Sequence, residues 1–284
     1  KNQLLALFNQ IDTNSTGHIT WDNLTDTLVD TMTTSYLDIK NYKIIPKTSK
    51  RWDPKQNILG ATYIEDKTRF MTCGNRLLIR DCEKGTIKVE LVGHKAAVLA
   101  AIEAPGLGII SSSADRTIRL WRDYNNSHTM TTVSIATGTP QLTLLYHKQS
   151  KLLYCGGTDG KIQAFDMTTY KCVKEVVSAH KDLIMDMLEI PELGLLITAS
   201  LDHTIKIWNL SSLRFRTAKI GHKKGILHLA YSNEYKFLLS SGFEKEIVVW
   251  NPFTGGVIQR LSGHERQIVG LHAYKTLPQL ISVD

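Results

Sequence analysis

The chain has 284 residues, 42% of them hydrophobic and 21% charged, proportions of a folding globular chain rather than of a disordered or collagen-like one. No run of about 18 apolar residues occurs, which excludes a membrane-spanning helix, and the opening KNQLLALFNQ lacks the apolar block of a secretory signal. The 34 basic and 27 acidic residues leave a net charge of +7, a general preference for acidic partners. The basic residues are scattered, however, with short clusters only at Lys47 to Arg51 and at Lys223 and Lys224, so the concentrated stripe that nucleic-acid binding needs is missing. Cys73, Cys82, Cys155 and Cys172 form no C-x-x-C pair and are too sparse for a disulfide framework. This usage points to a reducing, cytoplasmic compartment. Lys1 rather than Met opens the chain, so a longer parent protein is expected.

Residues 1–32 form the first segment. Leu4, Leu5, Leu7, Phe8 and Ile11 recur at helical spacing, as do Trp21, Leu24 and Leu28 with Val29 beside it, and both stretches predict helices. Between them runs DTNSTGHITWDN, from Asp12 to Asn23. This stretch resembles an EF-hand loop, in which oxygen ligands occupy positions 1, 3, 5, 7, 9 and 12 and a glycine at 6 permits the sharp turn. The resemblance sets Asp12, Asn14 and Thr16 at the first three ligand positions, Gly17 at the turn, the backbone carbonyl of His18 next, and Ile19 in the apolar slot. Asn23 stands where a bidentate Glu is usual. Asp12 is then the one charged ligand, and because affinity follows ligand charge the hand is expected to be structural and to bind calcium weakly or not at all. Weak binding with help from Asp22 is the alternative, and no other cofactor is implied. EF-hands pair, so a partner hand is expected ahead of Lys1. Residues 33–57, with Pro46 and the basic cluster, read as a linker with an outer strand.

From residue 58 to 284 the texture changes to a repeat. Four segments superpose without gaps: SADRTIRLWRD from Ser113, GTDGKIQAFDM from Gly157, SLDHTIKIWNL from Ser200 and GFEKEIVVWNP from Gly242. Their closing aromatics, Trp121, Phe165, Trp208 and Trp250, lie 44, 43 and 42 residues apart, with Asp115, Asp159, Asp202 and Glu244 six positions earlier. A second landmark runs through Gly93-His94, Ala179-His180, Gly221-His222 and Gly263-His264, with one histidine missing near Gly138. Within each period apolar and polar residues alternate, as in Thr117-Ile118-Arg119-Leu120-Trp121, the pattern of strands buried on one face. Runs such as Leu195-Leu196-Ile197-Thr198 and Phe237-Leu238-Leu239-Ser240 suit inner strands buried on both faces. Pro105-Gly106, Pro191-Glu192 and Asn233-Glu234 mark turns. Each period therefore holds about four short strands, and such units must stack to bury both faces.

A period near 43 with a Gly-His start and a Trp-Asp-like finish resembles the WD40 repeats, which form β-propeller blades. The resemblance implies a hydrogen-bonded chain of His, Ser or Thr, Asp and Trp in each blade. By position it carries over as His94, Ser113, Asp115 and Trp121, and as His180, Ser200, Asp202 and Trp208. A weaker set has His222 and Trp250 with Glu244 for Asp and Gly242 for Ser. The Phe165 unit lacks the histidine and has Gly157 for Ser, and the earliest unit, from Ile58 to Val92, puts Arg80 in the tryptophan slot. Buried Asp and His are costly to leave unpaired, so such a chain is expected whole or degraded together. The expected fold is mainly β: about five blades and a truncated unit from Gln267 to Asp284, with further blades expected beyond it.

The sequence carries no phosphate-binding glycine loop, no H-E-x-x-H, no G-x-S-x-G and no Cys/His cluster with zinc spacing. Asp115, Asp159 and Asp202 recur once per period, which suits a structural role. His147, His203 and His272 fall at strand or turn positions. The reading is a non-enzymatic protein-binding scaffold, since blade-joining loops present broad surfaces. An EF-hand segment ahead of WD repeats resembles the EF-hand-containing WD-repeat proteins of cilia and flagella, which implies axonemal partners or tubulin and an axonemal location. The alternative is a calcium-responsive adaptor in a cytoplasmic signalling complex.

Overall fold

Period-two alternation of apolar and polar residues gives antiparallel strands joined by short turns, and from residue 57 onward the chain does little else. The computed structural model describes residues 57–284 apart from 65, 67, 126–129, 255 and 275–278. Residues 1–32 and nearly all of 33–57 lie outside the described residues, and with them the EF-hand and linker readings.

Among the described residues the strands form five four-stranded sheets and one two-stranded sheet. The first holds β1 (Ile58–Tyr63), β2 (Arg69–Gly74), β3 (Leu78–Asp81) and β4 (Ile87–Glu90), and the second β5 (Val98–Ala104), β6 (Gly108–Ser113), β7 (Thr117–Arg122) and β8 (Thr131–Ala136). The third comprises β9 (Gln141–His147), β10 (Leu152–Gly157), β11 (Ile162–Asp166) and β12 (Lys171–Val176). The fourth comprises β13 (Ile184–Ile190), β14 (Leu195–Ser200), β15 (Thr204–Asn209) and β16 (Phe215–Ile220). The fifth has β17 (Ile226–Ser232), β18 (Phe237–Gly242), β19 (Ile247–Trp250) and β20 (Val257–Leu261), and the sixth only β21 (Gly270–Ala273) and β22 (Leu280–Val283). All neighbours pair antiparallel in chain order. A single 3₁₀ turn, Pro191–Leu193, is the only helical element among the described residues. This is the architecture of β-propeller blades.

The first strands of successive sheets pack side by side: β1 on β5, β5 on β9, β9 on β13, β13 on β17 and β17 on β21. The continuously apolar runs noted in the sequence are β14 and β18, second rather than innermost in their sheets, and they are buried along almost their whole length. The outermost strands, such as β12 and β16, are largely exposed.

The core lies between sheets rather than within one. One cluster joins Met71 and Ile79 of the first sheet to Ile109 and Trp121 of the second, and another joins Ile197 and Ile207 of the fourth to Leu238 and Trp250 of the fifth. Each tryptophan therefore faces the preceding sheet. A sheet standing alone would expose these faces, and stacking removes them from water at about 25 cal/mol per Å² of apolar surface.

The meander also sorts the loops into two ends. The turns between second and third strands and the crossings from one sheet to the next share one end, here called the crossing end. The turns between first and second and between third and fourth strands share the other.

Candidate functional site

The polar residues that recur in each period meet at the crossing end. In the second blade the Trp121 indole N–H donates to Ser111 Oγ at 2.8 Å, Ser111 meets His94 Nε2 at 2.8 Å, and His94 Nδ1 meets Asp115 Oδ2 at 3.0 Å. Neutral His94 protonated on Nδ1 satisfies every member: Trp donates to Ser, Ser to Nε2, and Nδ1–H to the carboxylate. Asp115 also accepts from the Thr117 hydroxyl at 2.6 Å and from the N–H groups of Lys95 and Thr117. The fourth blade repeats the latch with Trp208, Thr198, His180 and Asp202, at 3.0, 2.7 and 2.9 Å. The fifth uses Trp250, Ser240, His222 and Glu244, at 2.7, 2.6 and 3.0 Å.

Two readings of the sequence need correction here. The hydroxyl at the centre of the latch is Ser111 or Thr198, ten positions before the tryptophan, and not Ser113 or Ser200. Ser113 and Ser200 instead tie down the adjoining turn: Ser113 Oγ donates to the Ala96 carbonyl and accepts from the Asp115 N–H, and Ser200 does the same with Asp182 and Asp202. Gly242 therefore removes nothing from the fifth latch, which is whole with Glu244. All three centres are fully buried, and facing strands put Ser111 and Ser113 on the same side, so strand alternation cannot separate them.

The third blade has lost the latch as a unit. Phe165 replaces the tryptophan, fully buried Cys155 stands ten positions earlier in place of the hydroxyl, and the histidine position, near Gly138, is taken by Thr137. The backbone fixes that assignment. Thr137 N–H bonds the Arg116 carbonyl just as His180 N–H bonds that of Gly160. The Thr137 hydroxyl turns to the carbonyls of Arg116 and Thr139. Asp159 remains but sits exposed beside Lys161. In the first blade Arg80 takes the tryptophan's register position, opposite Phe70 as Trp121 is opposite Ile109, and it donates from Nη1 to the Gly85 carbonyl at 3.1 Å.

The glycines before His94 and His222 have a steric cause. A Cβ on Gly93 would lie 3.1 Å from Trp121 Cη2 and 2.7 Å from the Arg119 guanidinium, and one on Gly221 would lie 2.7 Å from Trp250 Cη2.

Electrostatics follow from the burial. Desolvation alone would raise the Asp115 and Asp202 carboxyls, but their hydrogen bonds from Thr, His and backbone N–H groups outweigh it and hold both well below the usual carboxylate range. Burial lowers His94 and His222 below the ordinary histidine value, against the opposing pull of Asp115 and Glu244. Both histidines are therefore neutral at pH 7, as the latch requires.

One structural carboxylate escaped the sequence reading. Asp186 in β13 is half-buried at the seam with the next blade, and desolvation pushes it up to about 6 against the hydrogen bonds it accepts from the Leu229 and Met187 N–H groups. The Leu229 bond, 2.8 Å long, spans the fourth and fifth blades. Lys219 reinforces the same junction by donating to the Asn251 carbonyl at 2.8 Å, and burial lowers its amine to about 8.

Because the latch carboxylates turn inward, they do not neutralise the surface above them. Lys95, Lys181 and Lys223, each following a latch histidine, are exposed, as are Lys224, Arg116 and Lys245. Arg116 and His203 reach outward from left-handed backbone, φ 64° and 69°, at the position Gly160 holds in the third blade. Between the fourth and fifth blades this end carries a shallow groove of about 580 Å³, with Leu201 and Phe243 as its apolar lining and Lys223, Lys224, His203 and Asp182 among its polar groups. Among the described residues no group of three His, Cys, Asp or Glu is placed to hold a metal, and Cys73, Cys82, Cys155 and Cys172 are all free. The loop residues Asp12, Asn14, Thr16, His18 and Asn23 lie outside the described residues.

Comparison with known proteins agrees with this geometry. The WD40 family, described as WD domain, G-beta repeat, matches residues 85–122, 170–209 and 214–251. The chain carries WD40 repeats. Each matched stretch takes in the outer strand of one blade and three strands of the next, and all three end on a blade whose latch is whole. The third blade, with Phe165, and the first, with Arg80, are unmatched as units. Among curated proteins the chain is 24% identical to cilia- and flagella-associated protein 337 B of Tetrahymena thermophila, over 99% of this chain and 27% of that protein. It is 24% identical to periodic tryptophan protein 2 of Arabidopsis thaliana, over 89% of this chain and 26% of that protein, and 27% identical to COMPASS component SWD3 of Saccharomyces cerevisiae, over 64% and 65%. The chain thus spans about a quarter of the length of the first two relatives.

Proposed function

We propose that this WD40 propeller is a non-enzymatic scaffold that binds other proteins, and that it serves as a structural component of a ciliary or flagellar axoneme or a similar large assembly. The observation that carries the scaffold reading is the use of its polar chemistry. The recurring His, Asp and Trp groups are consumed in holding blades together, and what the crossing end offers outward is loop surface with uncompensated charge. The ciliary location is supported by the Tetrahymena relative, whose alignment takes in nearly all of this chain. Axonemal proteins or tubulin are the partners this reading favours, with a cytoplasmic setting in which free thiols persist. Among the described residues no helix is long and apolar enough to cross a membrane.

The test is to tag the full-length protein in ciliated cells, follow its location and identify its crosslinked neighbours. Co-localisation with the axoneme and recovery of axonemal proteins or tubulin are the expected results. A nuclear location with neighbours drawn from chromatin or ribosome assembly would overturn the axonemal reading.

A further inference from the structure

We infer that the groove between the fourth and fifth blades at the crossing end is the docking site for an acidic protein segment carrying an apolar side chain, which seats on Leu201 and Phe243 while flanking carboxylates meet Lys223 and Lys224. The inference rests on the scaffold reading and names the chemistry of one partner.

Three observations single out this junction. The first is charge. The carboxylates of the two latches at this junction, Asp202 and Glu244, are withdrawn inward, where they accept from His180, His222 and the backbone N–H groups of Lys181 and Lys223, and Glu246 is paired with Arg260. The amines of Lys181, Lys223, Lys224 and Lys245 form no ion pair among the described residues, and Asp182 is the one exposed acid in the groove, its Oδ1 accepting the Leu183 N–H at 2.8 Å. Lys223 and Lys224 outnumber Asp182 in the groove lining, and an anionic segment would offset the excess positive charge.

The second is the apolar lining. The turn position held by Phe243 is occupied by Ala114, Thr158 and Leu201 in the preceding blades, and Phe243 is 41% exposed, an aromatic on a surface loop. Gly225 brings Leu201 and Phe243 together. A Cβ there would lie 2.7 Å from Leu201 Cδ2 and 3.2 Å from Phe243 Cδ2, so a side chain at 225 would fill the groove.

The third is rigidity. Asp186 and Lys219 bond the two blades to each other, and the Phe243 N–H is held by the Gly225 carbonyl at 3.0 Å. A fixed groove spares a ligand part of the ordering cost of binding. Nucleic acid fits less well, because the cations surround one apolar notch instead of tracking a backbone.

The experiment measures anisotropy of fluorescent probes with the full chain. The probes are a 12-residue Glu-rich peptide with one central Leu, the same peptide with Ser for Leu, its Lys-for-Glu counterpart, and a 12-nucleotide single strand. Saturable binding of the Leu peptide is expected, weakened about ten-fold by K223E with K224E and about ten-fold by Ser for Leu in the peptide. F243S should abolish the difference between the Leu and Ser peptides, and K148E with K151E at the opposite end should change nothing. No saturable binding, indifference to K223E and K224E, or tighter binding of the single strand would each overturn the inference. The scaffold reading fails separately: it is contradicted if the wild-type protein has no crosslinked protein neighbours. Neighbours retained by the K223E, K224E, F243S protein contradict only the groove.

Discussion

The third and fourth blades share the same four-stranded antiparallel layout and the same register between their first two strands, yet hold themselves together differently. In the fourth, Trp208, Thr198, His180 and Asp202 pass hydrogen bonds from indole to carboxylate. In the third, Phe165, Cys155 and Thr137 occupy the first three of these places and no chain exists. The hydroxyl at the centre is the reason the parts go together. Phe165 has no N–H to donate, so a buried hydroxyl at 155 would lose its donor partner, and a histidine at 137 would lose its own. Replacing all of them with apolar or locally satisfied groups can be nearly neutral, whereas removing one strands the rest. The third blade instead leans on its neighbours: Tyr154 donates to the Leu210 carbonyl of the fourth at 2.8 Å, and Arg122 of the second meets the Tyr170 hydroxyl.

The contrast can be broken by substitution. Asp202 accepts from four donors: the His180 ring, the Thr204 hydroxyl, and the N–H groups of Thr204 and Lys181. Asp202→Ala should therefore cost about 3 kcal/mol in denaturant unfolding, while Asp159→Ala, at the same turn of the third blade, should cost less than about 0.5 kcal/mol. Equal costs would mean that the third blade retains a latch. Cys155→Ser places a hydroxyl in a fully buried apolar site and should cost about 1 to 2 kcal/mol. Adding Phe165→Trp and Thr137→His should recover part of that loss, and a triple variant no better than the sum of its parts would show that the latch needs more than these side chains.

A smaller effect concerns pH. His94 and His222 have folded pKa values below 6.5, so as pH falls below about 6.5 the unfolded chain takes up protons that the folded chain refuses, and stability declines. Asp115 and Asp202 add to the loss as pH passes below the ordinary carboxylate value, 3.8. Asp186 works against them. Its folded pKa, about 6, lies above its ordinary 3.8, so between those values the folded chain binds more proton and gains on acidification. Melting temperature measured from pH 7 to 4 should fall, and fall more steeply in Asp186→Asn. An unchanged slope would mean that Asp186 is ionised in solution at pH 5.

The blades were legible because burial on alternating sides writes itself into the chain every second residue, and the latch ends because Gly-His and Trp recur at fixed intervals. Ser113 was misread for Ser111 because Ser111-Ser112-Ser113 offers a hydroxyl at both positions on one side of the strand. The fifth blade held the signal that separates them: Ser240 stands ten before Trp250 and Gly242 stands eight before it, so only the earlier position carries a hydroxyl in every tryptophan blade. Asp186 was hidden for a different reason. It has no counterpart in the other periods, where Ala100, Thr143 and His228 share its register, and a carboxylate amid IMDMLEI declares its burial only once the fifth blade is packed on it. The Lys223, Lys224 cluster was visible, but that its amines form no ion pair among the described residues depends on where Glu244 points.

The most direct test of the latch as a cooperative unit is a double-mutant cycle on His180→Ala and Asp202→Ala by equilibrium unfolding. The account predicts that the double variant loses less than the sum of the singles by about 1 kcal/mol or more, because each single change already strands the other group. Losses that add to within about 0.3 kcal/mol would show that the two side chains act independently and would contradict it.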